Sequence, residues 1–275
     1  MTDFDSRRHA LRRLARLAAA GGALAGASAP LLAARAASAR HAQGADGLLA
    51  DPVLAITPPP TLVLRSRASA PAQQLASALS ASATDLDPLA LLLATQALER
   101  ARSQPGLLDA DPARLAVIDY SRPSTDKRLW VFDLRQRRLL HHEWVAHGRN
   151  SGDNMTVRFS NVMDSRMSSL GAFAASTPYS GSNGYSLRLR GLEPGFNDRA
   201  LDRAIVMHGA PYVNEDIIRS QGRLGRSWGC PAVRSAVAAP LIDLLADGGF
   251  LFGYYPDTGW LAESRLIGGM AQLHA

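Results

Sequence analysis

From residue 115 onward the chain breaks into short apolar runs, each of strand length and separated by glycine, asparagine, serine and proline. Nothing else in the sequence limits the fold as strongly. Residues 115–120, 128–134 and 138–146 are rich in β-branched, aromatic and leucine side chains and read as strands, the second and third forming a hairpin. Further short strands are expected over residues 171–173, 185–189, 204–208 and 250–255. One late helix is expected over residues 240–247, with Pro240 in its first turn and Gly248-Gly249 ending it. With no repeats and no regular alternation of strand and helix, the domain reads as mainly β. Upstream, residues 72–104 carry a helical pattern, with Asp87 as cap, Pro88 at the first helical position, Leu89, Leu92, Leu93 and Ala97 along one face, and Pro105-Gly106 as the stop. One or two helices hardly form a core alone, so this segment is expected to pack on the β domain.

The formal net charge of +6 suggests a polyanion partner until its location is considered. Residues 1–40 hold seven arginines against Asp3 and Asp5 and supply +5, leaving the other 235 residues at +1. That balance gives no footprint for nucleic acid. The same segment has the layout of an export signal: a basic start, an Ala/Leu/Gly stretch over 14–32, and the small residues Ala37-Ser38-Ala39 where a peptidase would cut. Ser6-Arg7-Arg8-His9-Ala10-Leu11-Arg12 resembles a twin-arginine motif, with Ala10 where Phe is commoner. Richness in Ala and Gly, together with Pro30 and Arg35, makes a poor permanent membrane span. The expected organisation is therefore an export signal over 1–39, a linker over 40–71 containing Pro58-Pro59-Pro60, a helical extension over 72–113 and a catalytic domain over 114–275. The mature protein is expected to be periplasmic or secreted, without a stable span after cleavage.

The chain has a single cysteine, Cys230, within Gly225-Arg226-Ser227-Trp228-Gly229-Cys230-Pro231. A lone thiol forms no internal disulfide. His208-Gly209-Ala210 lies 22 positions upstream, after the apolar run Ala204-Ile205-Val206-Met207. A thiol among glycines, paired with a histidine at a strand end, reads as a nucleophile and its base. The competing readings are a small buried hydrophobe for Cys230 and a structural histidine for His208. His142-Glu143-Trp144-Val145-Ala146-His147 looks like a zinc-protease helix motif but separates its histidines by five positions. The motif needs i and i+4 on a helix, whereas these residues read as a strand, so no metal is expected. Gly181-Ser182-Asn183-Gly184 is a turn signal and not a phosphate cradle.

His-Gly followed by Ser-x-Gly-Cys resembles the active-site motif of the L,D-transpeptidases, the YkuD-type cysteine enzymes of peptidoglycan. The likeness extends to His147-Gly148-Arg149-Asn150-Ser151-Gly152, Phe159-Ser160-Asn161, Ser168-Ser169-Leu170-Gly171, Gly184-Tyr185-Ser186-Leu187 and Pro231-Ala232. It is similar to the variant branch described as murein L,D-transpeptidase catalytic domain and covers residues 115–261. The resemblance implies a β-sandwich or barrel with a few short helices. It also implies that Cys230 attacks a donor stem-peptide carbonyl, that His208 takes its proton, and that the thioester passes to an amine or protein acceptor without a cofactor. A carbonyl near Gly209 is expected to orient the imidazole, Ser227 to hold the loop, and amides at Trp228, Gly229 and Cys230 to receive the oxyanion. Trp228 stands where many members carry a second histidine, and Pro231-Ala232 replace an apolar residue followed by Asn or Arg. A stem carboxylate is accordingly assigned to an arginine elsewhere: Arg226 first, with Arg223 and Arg234 as alternatives. His147 is expected either to contact substrate or to support a loop. Two other outcomes are compatible with the motifs: water as acceptor, giving a carboxypeptidase or endopeptidase, and a non-catalytic wall-binding protein.

Overall fold

The computed structural model describes residues 68–246 and 248–268. The export segment and most of the linker lie outside them. The helical pattern over 72–104 resolves into two helices, α1 (Ala70–Ser80) and α2 (Pro88–Arg102). Asp87 caps α2 by accepting the Leu89 N–H at 2.8 Å, with Pro88 in the first turn. Two buried polar groups of α2 tie α1 down: the Thr95 hydroxyl donates to the Ala72 carbonyl at 3.0 Å, and Gln96 Oε1 accepts the Ser69 N–H at 2.7 Å. The buried leucines of α2 belong to the same apolar cluster as the sheet.

The nine strands are β1 (Arg114–Asp119), β2 (Leu129–Asp133), β3 (Arg138–Glu143), β4 (Val145–Ala146), β5 (Gly171–Gly181), β6 (Gly184–Gly191), β7 (Val206–Ala210), β8 (Ala232–Arg234) and β9 (Phe250–Tyr254). They form one sheet in the order β3-β2-β1-β9-β5-β6-β7-β8-β4. All neighbours are antiparallel except β1 with β9 and β7 with β8. β3 and β4 stand at the two ends of that order yet only Trp144 separates them in sequence, so the sheet must curl until its edges meet, a nearly closed barrel. The run over 138–146, expected as one strand, is therefore two. Trp144 makes the corner, its indole N–H donating to the Thr125 carbonyl at 2.9 Å and its ring flanked by Lys127 and Arg234. Trp130, Phe132, Phe250, Phe252 and Trp260 are fully buried. Each such side chain contributes roughly 2–3 kcal/mol through area removed from water.

Ser182-Asn183 form the two-residue turn between β5 and β6, with Gly184 at φ +74°. β7 reaches its parallel neighbour β8 through a short helix, α3 (Glu215–Gln221), capped by Asn214 and ended by Gly222. This is a strand–helix–strand crossover between parallel neighbours. Helix α4 (Ser235–Leu245) follows β8 directly and packs its buried Ala238, Leu241, Ile242 and Leu245 against β6 and β7. It begins five residues before the expected start at Pro240, which lies inside it. The helix-favouring Ser235-Ala236-Val237-Ala238-Ala239 run carries the earlier turns, and Pro240 is exposed, so its ring displaces no packed neighbour. A last helix, α5 (Thr258–Glu263), carries Trp260, whose indole donates to the buried Glu193 carboxylate at 3.1 Å.

Candidate active site

The parallel register of β7 and β8 pairs His208 with Ala232. Cys230, two residues earlier, lies beside Val206, whose N–H donates to Sγ at 3.5 Å, while the thiol faces the Ala204 carbonyl at 3.7 Å. The sulfur is thus held beside β7 at Val206, two residues before His208 on the same strand. His208 Nδ1–H donates to the Gly209 carbonyl at 2.9 Å, as a carbonyl only accepts, and this leaves Nε2 with a free lone pair. Cys230 is 8% and His208 5% exposed. Burial pushes the His208 pKa below its ordinary 6.5, against the Gly209 bond, and pushes Cys230 above 9.0, against the Val206 N–H and the charge of Arg203. The resting pair is thus a thiol and a neutral imidazole, suited to general-base activation rather than to a standing thiolate.

The turn before Cys230 is held by its own backbone. Ser227 N–H donates to the His147 carbonyl at 3.0 Å, the Ser227 hydroxyl donates to the Cys230 carbonyl at 2.6 Å, and the Gly229 N–H donates to Ser227 Oγ at 3.1 Å. The Gly229 amide, expected as an oxyanion donor, is therefore committed to the turn. Among the described residues no acceptor takes the Trp228 or Cys230 amide, and the Cys230 N–H faces its own sulfur. Gly229 has φ +123°, and a Cβ there would meet the Met167 carbonyl oxygen at 2.7 Å and Ile205 Cδ1 at 3.0 Å. Packing, more than access for substrate, requires this glycine. Trp228 is 67% exposed and lies under the Arg166 guanidinium, 4.8 Å from the ring centroid.

The motif pattern gives no sign of Arg203. Its guanidinium donates to the Ser160 carbonyl and Ser169 Oγ, each at 2.5 Å, and to Ser165 Oγ at 3.1 Å and the Met167 carbonyl at 2.6 Å. One side chain thus fastens residues 160–169 to the start of β7. Ser168 adds a second tie, its hydroxyl donating to the Gly229 carbonyl at 3.2 Å and accepting the Gly148 N–H at 3.0 Å. An arginine before an apolar run carries no spacing signal, so only the folded chain reveals the clamp.

His147 and Arg226 are both drawn into the loop over residues 147–153. His147 is fully buried, its Nδ1 accepting from Arg128 at 2.7 Å and its Nε2–H directed at the Gly152 carbonyl at 3.4 Å. Burial, and then the Arg128 charge, lower its pKa to about 3. It supports the loop, the second of its two expected roles. Arg226 spends one nitrogen on the Arg149 and Gly152 carbonyls and Asp153, at 3.3, 2.9 and 2.8 Å. Arg234 is bidentate to Glu143 at 2.9 and 2.6 Å. His142 stacks on Trp130 and contacts the Lys127 carbonyl, away from His147. No group of three metal-ligating side chains occurs among the described residues.

A family model described as L,D-transpeptidase catalytic domain matches residues 82–254, a span that includes both His208 and Cys230. The chain belongs to the L,D-transpeptidase catalytic domain family. Similar solved structures include an L,D-transpeptidase from Mycobacterium smegmatis, 15% identical with a TM-score of 0.34, covering 52% of this chain and 59% of that one. Another is an L,D-transpeptidase from Stackebrandtia nassauensis, 13% identical with a TM-score of 0.32, covering 68% of this chain and 92% of that one. A third is the helical cell shape determining protein Pgp2 from Campylobacter jejuni, 14% identical with a TM-score of 0.32, covering 57% of this chain and 53% of that one. The chain spans about 59% of the length of the mycobacterial protein. None of the curated proteins compared with the chain matches it. No helix among the described residues of this L,D-transpeptidase domain is long and apolar enough to cross a membrane.

Proposed function

We propose that the protein is a cysteine L,D-transpeptidase acting on peptidoglycan stem peptides. The observation that carries this is the His208–Gly209 bond, which leaves Nε2 as the free nitrogen of a histidine two residues along β7 from Val206, whose N–H holds the Cys230 sulfur. His208 Nε2 takes the thiol proton as Sγ adds to the donor carbonyl, and the Trp228 and Cys230 amides receive the oxyanion. The C–N bond then breaks, His208 returns the proton to the leaving amine, and a thioester remains on Cys230. An acceptor amine adds to the thioester carbonyl and gives its proton to His208, the C–S bond breaks, and His208 returns the proton to the sulfur, restoring the thiol. No step draws on a group from outside the chain and its two substrates. The layout of residues 1–39 supports a site of action outside the cytoplasm, in the periplasm or beyond.

The test is incubation of the protein, and of its Cys230→Ala and His208→Ala variants, with disaccharide-tetrapeptides, followed by mass spectrometry of products and intact protein. Cross-linked dimers with an acyl adduct on Cys230 are expected from the parent and from neither variant. Shortened monomers alone would replace the amine acceptor by water. Folded parent protein with neither product nor adduct would overturn the assignment and favour a wall-binding protein.

A further inference from the structure

Several arginines around Cys230 are already engaged by oxygens of the protein. Arg203, Arg226 and Arg234 make the bonds described above, and Arg223 donates to the Leu224 carbonyl at 2.8 Å with Asp153 at 3.8 Å. Arg166 is exposed, and its guanidinium meets no carbonyl or carboxylate among the described residues. Its contact is the Trp228 ring, two residues before the nucleophile. The backbone beneath it is fixed. The Arg166 carbonyl accepts the Asn150 N–H at 3.2 Å and lies 2.5 Å from where a Cβ on Gly148 would stand. The next two residues line Gly229, Met167 through its carbonyl and Ser168 through its hydroxyl.

A guanidinium laid on an indole keeps its charge in place while its N–H fork stays open at the edge, the geometry that matches a carboxylate. We propose that Arg166, stacked on Trp228, binds a carboxylate of the donor stem peptide and so selects which donors reach Cys230. This rests on the transpeptidase reading and gives to Arg166 the role that the motifs assign to Arg226. An exposed indole where many relatives carry a second histidine then has a purpose, which is to support the cation and wall the donor. The ligand class is an acidic peptide, and the amidated form of the same peptide is the poorer ligand.

Binding is measured calorimetrically with the Cys230→Ala protein, which cannot turn over. The probes are a disaccharide-tetrapeptide with free stem carboxylates and the same molecule with them amidated. The acidic form is expected to bind about tenfold or more tightly than the amidated form, the scale of one charge-assisted bidentate contact. Adding Arg166→Gln should abolish that preference and leave binding of the amidated form unchanged. Circular dichroism verifies the fold, and because Arg166 is exposed the substitution removes only its contact with the Trp228 ring. No preference in the Cys230→Ala protein, no binding of either form, or a preference that survives Arg166→Gln would each overturn the proposal. Selective binding without any Cys230 adduct in the parent would retain the carboxylate site and remove the transpeptidase reading. An adduct in the parent with no role for Arg166 would do the reverse.

Discussion

Cys230 and His208 are each shifted toward the uncharged state by burial, and this has a measurable signature. Alkylation of the free protein by iodoacetamide, read as mass added to the chain's single cysteine, should be slow near neutrality and rise with a midpoint above 9.0. A midpoint below about 7 would instead reveal a standing thiolate–imidazolium pair of the kind found where a cation holds the thiolate. With a donor bound, acylation should be flat near neutrality and fall as pH drops through the His208 pKa, which lies below 6.5. Cys230 and His208 stand out in the sequence as the proposed nucleophile and base because a lone thiol among glycines, with a histidine at the end of an apolar run, has few structural uses. The loop bonds of Arg226 and His147 are no more visible in the sequence than the Arg203 clamp, and for the same reason. The sequence shows which residues carry charge, but not which of those charges the backbone carbonyls of a loop consume.

At the scale of elements, residues 160–169 have no regular structure and depend on Arg203 for their position. Arg203→Met should lower stability by about 2–4 kcal/mol, as several bonds from a charged donor are lost. It should also remove hydrogen-exchange protection over 160–169 and move the Cys230 alkylation midpoint further up, since the Arg203 charge opposes that rise. Unchanged exchange in that loop would dismiss the clamp. Pro240 gives an independent test. It lacks the N–H that an interior helical position uses, so Pro240→Ala should stabilise α4 by about 1–3 kcal/mol and raise Tm, measured by calorimetry. A lower Tm would mean the ring is packed. Strands are legible wherever apolar runs exceed four residues, as in β1, β2 and β9. The three residues of β8 and the corner at Trp144 are not, because a short strand between Pro231 and a helix, and a bend inside an apolar run, leave no periodicity to read.

For the whole molecule, the buried His147 couples stability to pH. Its pKa is about 3 in the folded chain against 6.5 for an unperturbed histidine, so between those values the unfolded state holds the extra proton. Stability is fully present above 6.5 and declines as pH falls toward 3, with His208 acting in the same direction. Glu193 and Asp119, both raised by burial, oppose the decline at the acid end, where the folded state binds their protons more tightly. Urea unfolding at about pH 7.5 and about pH 5 should differ by at least about 1 kcal/mol, and His147→Gln should flatten the difference. Equal slopes in the two proteins would exonerate His147. The sheet order has a different implication. Among the described strands, β3-β2-β1 and β5-β6-β7 are bridged in the ladder by β9, Phe250–Tyr254, while β4, which follows β3 after Trp144, joins the far edge through β8. During synthesis the middle of the sheet has no ladder until those five residues have emerged, so before then the two halves are linked only at the far edge, through β4 and β8. Closure of the sheet that carries His208 and Cys230 is thereby timed to the arrival of its last strand.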